Sequence, residues 1–352
     1  MSSYESRARQ KADALKTSGH ALILAVESSC DETAVAVVAD GRRVLSNEIA
    51  SQIAKHAQFG GVVPEIASRM HVEALDLLAD QALQAAHVSP DNIDAVAVTN
   101  GPGLVGALLT GLSWAKSYAY ARDLPLIAVN HIEGHVSANY VAHPDLEPPF
   151  VCLVASGGHS HISLVRDYGQ YETLGRTLDD AAGEAFDKVA RVLSLPYPGG
   201  PLLDRLAETG DDLAYAFPKP KLDNPYDFSF SGVKTAVIQM AHNLRQRGEE
   251  IRAADFAASF RRYVVDELTV KAVSAAWQAG VDKIAAAGGV ASNMLLRREL
   301  TRRGQEAGMS VFLPPPILCT DNGAMIGSAG FYRLMRGEIA PLDVNAQPSR
   351  SA

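Results

Sequence analysis

Apolar residues fall in short blocks separated by polar or glycine-bearing turns, and the spacing of the blocks predicts the elements. Residues 21–26, 34–39 and 44–49 read as three strands, joined by the polar turn 27–33 and the tight turn at Asp40-Gly41. Residues 64–86 follow a helical period, with Ile66, Met70, Leu75, Leu78 and Leu83 on one face. A strand at 94–99 ends in Asn100-Gly101-Pro102-Gly103, a long apolar helix spans 104–121, and a buried strand follows at 126–129. Strands alternating with helices imply parallel pairing.

The opening pattern then returns about 130 residues later: strand 150–155, small-residue turn 156–160, strand 161–165, turn 166–169 and strand 170–174. Each copy leads into helical material. The pattern outlines a duplicated α/β domain with a cleft between its halves; two unrelated hairpins are the plainer alternative. Residues 195–232 are rich in Pro and Gly, and a loop-rich insertion of that length suggests a lid or a substrate contact. Helices are expected at 233–246 and 252–279, and a strand at 284–287 leads through Gly288-Gly289 into a helix at 292–303. A last strand at 311–313 and three prolines lead to Thr320-Asp321-Asn322-Gly323, which opens a final helix.

The length, 352 residues, allows two domains with separate cores, and 47% hydrophobic with 20% charged residues is a globular profile. A net charge of −8 argues against a broad basic surface coating nucleic acid, though not against a local basic patch. Cys30, Cys152 and Cys319 are odd in number and form no CxxC pair, which points to a reducing compartment. Residues 1–20 are polar and mixed in charge, without the apolar region of a secretory signal, and read as a frayed or helical extension. No run approaches the roughly 18 apolar residues of a membrane span, so a cytoplasmic location is expected.

The candidate chemistry centres on Asn130-His131-Ile132-Glu133-Gly134-His135. On a helix, His131 and His135 share one face and can close on one metal ion at the end of a buried strand, where open α/β sheets place ligands. Asp321 is the best third ligand, although an Asp before a helix is ordinarily an N-cap. Two histidines and a carboxylate suit a divalent metal with open positions, iron(II) included. A zincin needs its glutamate directly after the first histidine; Glu133 stands two residues on and off the shared face, so a metalloprotease is the weaker reading.

Other candidates are weaker. Gly157-Gly158 and Gly288-Gly289 permit close backbone approach to a phosphate or nucleoside. Asp31 and Glu32 are candidates to accept a proton or bind a cation, and at most one of His159 and His161 faces the cleft. Asp179-Asp180, ahead of Ala181 to Lys188, reads as an acidic helix start suited to the helix dipole, with Asp187 a candidate acceptor from a ribose or an ammonium.

These blocks resemble the tRNA threonylcarbamoyladenosine transferase family, the Kae/TsaD/YgjD group once labelled O-sialoglycoprotein endopeptidase. The matching segments include VESSCDETAVAV (26–37), GGVVPEIASRMH (60–71), NGPGLVGALLTG (100–111), HIEGH (131–135), SGGHSHI (156–162), DDAAGEAFDKVAR (179–191), YPGGPLLD (197–204), FSFSGVKT (228–235), AGGVASNMLLR (287–297) and CTDNGAMIG (319–327). The resemblance implies an α/β fold of two duplicated lobes, actin/Hsp70-like (ASKHA), with an interlobe nucleotide cleft. On that pattern the chain divides into an extension (1–20), an N-terminal lobe (21–149), a C-terminal lobe (150–340) whose final helix can pack back on the first, and a tail (341–352). It implies transfer of a threonylcarbamoyl group from threonylcarbamoyl-AMP to N6 of the adenosine beside the anticodon in tRNAs reading ANN codons, with release of AMP.

By the same resemblance the metal ligands fall on His131, His135 and Asp321, holding Fe(2+) or Zn(2+). The adenylate contacts fall on Val154, Ala155, Ser156, Gly157, Gly158, Asp187, Gly200 and Asn293. No general base is assigned by the sequence; Asp31 and Glu32, as proton-accepting carboxylates, are the candidates. Bacterial relatives work with a noncatalytic paralogue (TsaB-like) and a small P-loop ATPase (TsaE-like). Arg297, Arg298, Arg302, Arg303, Lys219 and Lys221 are local basic candidates for tRNA contact. The alternative function is an ATP-dependent small-molecule kinase of the same fold; a noncatalytic scaffold is disfavoured by the intact ligand set.

Overall fold

The computed structural model describes residues 3–248 and 252–349. The chain divides into two compact units, one formed by Met1–Leu146 and Thr320–Ala352, the other by Glu147–Cys319. Each holds a five-stranded mixed sheet.

In the first unit the strands are β1 (Leu22–Glu27), β2 (Glu32–Ala39), β3 (Arg43–Ser51), β4 (Ala95–Gly101) and β5 (Leu126–Asn130), in the spatial order β3-β2-β1-β4-β5. The first three form an antiparallel meander, and β4 and β5 add in parallel beside β1. The crossover between them is the helix Val105–Ala121. In the second unit β6 (Phe150–Ala155), β7 (Ser160–Asp167), β8 (Gln170–Arg176), β9 (Lys283–Ala287) and β10 (Ser310–Phe312) repeat the arrangement in the order β10-β9-β6-β7-β8. Again a meander of three strands is extended by two parallel ones. The repeated strand pattern of the sequence is thus a repeated topology.

The strands β1, β2 and β4 are buried on both faces, as covered parallel sheets are. Their alternation sorts residues by size. Leu24, Val26, Val35, Val37, Val96 and Val98 pack with Leu75, Leu78, Leu112 and Ala115 of the helices Pro64–Ala85 and Val105–Ala121. The opposite face carries Ala25, Ala36 and Ala97, and against it lies the last helix, Gly323–Met335, through Gly323, Gly327 and Gly330. A Cβ at any of the three would come within 2.5–2.7 Å of Ala36, Val38 or Ala97, so the helix seats directly on the strands. That packing puts the last helix with the first unit.

The first twenty residues are helical from Ser3 to Ser18 and docked: Tyr4, Ala8 and Ala12 are buried, and Tyr4 Oη donates to Leu124 O at 2.8 Å. In the second unit the Pro- and Gly-rich stretch contains a helix, Gly199–Ala207, that the turn-forming residues concealed. Pro201 sits in its first turn, where a missing N–H costs no helical bond. The Phe228-Ser229-Phe230-Ser231 segment is anchored rather than free. Both phenylalanines are 1% exposed, and Asp179 accepts from Phe230 N at 2.8 Å, Ser231 N at 3.1 Å and Ser229 Oγ at 2.5 Å. Asp179 and Asp180 therefore do not start their own helix, which begins at Ala182; Asp180 instead pairs with Lys188 and Lys234. No described helix is long and apolar enough to cross a membrane.

Candidate functional site

Strand β5 ends at Asn130, whose side chain caps the next helix by accepting from Ile132 N at 2.8 Å and Glu133 N at 3.4 Å. The helix His131–Ala142 then presents His131 and His135 on one face, their ring centroids 4.6 Å apart. Both are buried. Glu133 turns away and pairs with Arg333 at 2.7 Å, which removes it from any protease-like role.

Asp321 meets this face from the other end of the chain. The cap of the last helix is Asn322, whose Oδ1 accepts from Met325 N at 2.9 Å, while Asn47 Oδ1 takes Gly323 N and Ala324 N at 3.1 Å each. With first-turn N–H groups satisfied by two asparagines, the ordinary N-cap reading of Asp321 does not hold. Its Oδ1 lies 3.3 Å from His135 Nε2 and 3.5 Å from His131 Nε2.

The three ligand atoms lie within 4.8 Å of one another. Ligand atoms about 2.1 Å from one ion stand roughly 3.5 Å apart in a tetrahedral set, so the spacing suits a single metal ion. The histidine rings also ask for one: neither nitrogen of His135 has a hydrogen-bond partner, although the residue is only 1% exposed. His131, by contrast, has Nδ1 engaged by Glu27 Oε2 at 3.1 Å and Ser29 Oγ at 3.2 Å, leaving Nε2 for Asp321 and the ion. Glu27 is fully buried at the end of β1 and was not singled out in the sequence, where it reads as the first residue of the polar turn 27–33. Burial opposes ionisation of both partners. The attraction between them, with Asp321 adding to it at the histidine, wins: Glu27 is held below its usual range and His131 is pushed up to about 9.

Asp31 and Glu32 follow on the same turn. Burial raises both, and Glu32 reaches about 7; its Oε1 accepts from Ser51 Oγ at 2.8 Å, and its Oε2 is buried without a hydrogen bond. Beneath the turn His71 joins Cys30 O (2.9 Å) to Thr33 Oγ1 (2.7 Å), and Gln52 links His71 to His56. This buried network was likewise missed, because its residues are scattered over three elements.

The other sequence candidates gather within the second unit. Val154 and Ala155 end β6 and lead into the turn Ser156-Gly157-Gly158, closed by Ser156 N donating to His159 O at 2.7 Å. Gly288 has φ +87° and ψ 161°, a region open essentially to glycine alone, and a Cβ there would stand 2.4 Å from Ala155 O. Gly157, Gly158 and Gly289 have open space where a side chain would be. Asp187 Oδ1 accepts from Gly199 N and Gly200 N at 2.9 Å each, so it caps the concealed helix; burial nevertheless raises its carboxyl. Asn293 caps its own helix through Leu296 N at 2.9 Å and donates to Asp204 Oδ1 at 2.7 Å. Both residues thus have structural duties in addition to any ligand contact. His161 is buried in β7, and His159 is half-buried in the turn.

The basic candidates are largely neutralised. Arg302 pairs with Glu299 and Glu306, Arg303 with Asp266 and Glu299, and Arg298 lies 3.9 Å from Glu299. Arg297 donates to the carbonyls of Ala291 and Pro314, and Lys219 faces Glu267 at 3.3 Å, while Lys221 is exposed.

The TsaD family model, described as tRNA N6-adenosine threonylcarbamoyltransferase, matches residues 43–328. The chain belongs to this family. Proteins of that name from Clostridium perfringens (57% identical over 329 residues, 93% of this chain and 97% of that protein) and Clostridium novyi (56%, 93% and 96%) align along almost the whole length. Among solved structures, HypF from T. kodakarensis superposes with a TM-score of 0.60 at 16% identity, over 90% of this chain and 47% of HypF. Component A of the Acidaminococcus fermentans (R)-2-hydroxyglutaryl-CoA dehydratase does so with a TM-score of 0.51 at 14% identity, over 90% and 98%. These likenesses establish the actin/Hsp70-like two-lobe fold. Membership of the family makes the chain a transferase that modifies adenosine in tRNA, and selects acyl transfer over the kinase alternative.

Proposed function

We propose that the chain moves the threonylcarbamoyl group from threonylcarbamoyl-AMP to N6 of the adenosine beside the anticodon in tRNAs reading ANN codons, releasing AMP, with one divalent ion held by His131, His135 and Asp321. The observation that supports the metal reading is the convergence of His131 Nε2, His135 Nε2 and Asp321 Oδ1, with a buried His135 that has no other partner. Two imidazoles and one carboxylate suit iron(II), with zinc as the alternative. Bound there, the ion supplies Lewis-acid stabilisation of phosphate charge.

The remaining work belongs to the protein. Gly157 and Gly158, open above their backbone, let the main chain approach the adenylate, with Val154, Ala155 and Ser156 leading into that turn. Asp187, Gly200 and Asn293 orient the nucleoside from the rim formed by two helix starts. Glu32, lifted to about 7, has the basicity to take a proton from the adenine amine near neutral pH, with Asp31 beside it. A TsaB-like paralogue and a TsaE-like ATPase are the expected partners in the cytoplasm; the scarcity of unpaired basic side chains among the tRNA candidates favours a partner that adds positive surface.

The direct test is transfer of radiolabelled threonine to tRNA by the full chain and by His131→Ala. Loss of transfer with retained folding supports the reading; undiminished transfer by the variant contradicts it.

A further inference from the structure

We propose that Glu27 is the positioning residue of the metal centre, a buried carboxylate that sets the tautomer and orientation of His131. The proposal rests on the metal reading of His131, His135 and Asp321, and goes beyond it by adding a residue outside that ligand set.

Three observations lead to it. Glu27 is fully buried at the end of β1, where an ionised carboxylate survives only when each oxygen is paired. Its Oε1 accepts from Ser29 N at 2.5 Å, and its Oε2 accepts from Thr99 Oγ1 at 2.6 Å and faces His131 Nδ1 at 3.1 Å. The carboxylate is therefore locked by the neighbouring strand β4 and by its own turn, and presents one oxygen to the histidine.

An ionised carboxylate only accepts, so Nδ1 of His131 must carry the proton. With the Nδ1 proton held by the carboxylate, the proton the ring gives up when it binds an ion is the one on Nε2, the nitrogen 3.5 Å from Asp321 Oδ1. A carboxylate behind a metal-binding histidine fixes the ring and raises its basicity as a ligand. His135 lacks any such partner, since Nδ1 of that ring makes no hydrogen bond. The two histidines are thus inequivalent: His131 is preorganised and His135 closes on the ion.

Glu27→Gln keeps the shape but places an amide donor toward Nδ1, which favours the tautomer with its proton on Nε2. The test is cobalt(II) titration of the metal-stripped full chain, followed by d–d absorption, for the wild type, Glu27→Gln, Thr99→Val and His131→Ala. It is joined by nitrogen chemical shifts of the His131 ring in the metal-free protein, recorded at a pH high enough for the ring to be neutral. Glu27→Gln is expected to weaken cobalt binding about 10- to 100-fold, within the range for outer-shell partners, and to shift the ring toward the Nε2–H form. Thr99→Val, which removes one of the donors holding the carboxylate, is expected to weaken binding severalfold, and decides the matter if Glu27→Gln does not fold. Cobalt affinity and ring shifts unchanged in a folded Glu27→Gln, with binding lost in His131→Ala, would overturn the role of Glu27 alone. Binding unchanged in His131→Ala would overturn the metal reading and this proposal together.

Discussion

Asp321 Oδ1 lies 3.3 Å from His135 Nε2, two side chains brought together from the two chain segments of the first unit because a glycine-faced helix seats on the alanine face of its sheet. If this pair helps to hold the ion, Asp321→Ala removes the only carboxylate of the set among the described residues. Lewis-acid stabilisation is worth several kcal/mol, so threonylcarbamoyl transfer is expected to fall by at least about 100-fold. Thermal melting of the metal-free protein should change little, since Asn322 and Asn47 provide the helix cap.

Gly288→Ala tests the turn in the second unit. The ε-region backbone alone costs a non-glycine residue about 1–3 kcal/mol, and the new methyl would press on Ala155 O. The variant should melt at lower temperature and bind AMP more weakly, because the displaced carbonyl immediately precedes Ser156-Gly157-Gly158. Equilibrium binding of AMP, with a melting curve, checks both effects.

Glu32 gives a pH dependence of definite sign. Its carboxyl is raised by burial to about 7, above the ordinary value of 4.5, so the folded state holds its proton over a range where the unfolded chain has released it. The group's contribution therefore favours folding at low pH and is lost as pH rises through about 7. Chemical denaturation of metal-free Glu32→Gln across that window should show a flatter fall in stability than the wild type. A parallel fall in both would remove the proposed basicity of Glu32.

Arg302 is expected to be dispensable for tRNA. It is tied to Glu299 at 2.7 Å and Glu306 at 2.8 Å on an exposed helix face, where such pairs contribute little to stability. Arg302→Ala should leave tRNA affinity within about twofold and the melting temperature nearly unchanged. A larger loss of affinity, measured at two salt concentrations, would return this helix to the interface.

Much of this was legible in the sequence because period-two strands and polar turns are local signals. The repeat of three strands at 21–49 and 150–174 announced the two matching sheets. The histidine pair was legible for the same reason, since residues four apart on a helix share a face. What escaped depended on distant partners. Glu27 looks like the first residue of a polar turn until Thr99 and His131 are seen to close on it. Asp179 looks like a helix start until Phe230 and Ser231 are found donating to it. The helix Gly199–Ala207 was hidden by its own glycines and prolines, residues that usually punctuate, and its first N–H groups are held by Asp187.

The most direct measurement is the transfer rate against bound metal. The chain is stripped with a chelator and reloaded stepwise with iron(II) or zinc, and the metal content per chain is counted at each step. The account predicts a rate that rises with occupancy and levels off at one ion per chain for the wild type, with no such rise for His131→Ala. A stripped protein that transfers threonylcarbamoyl to tRNA as fast as the loaded one would contradict it.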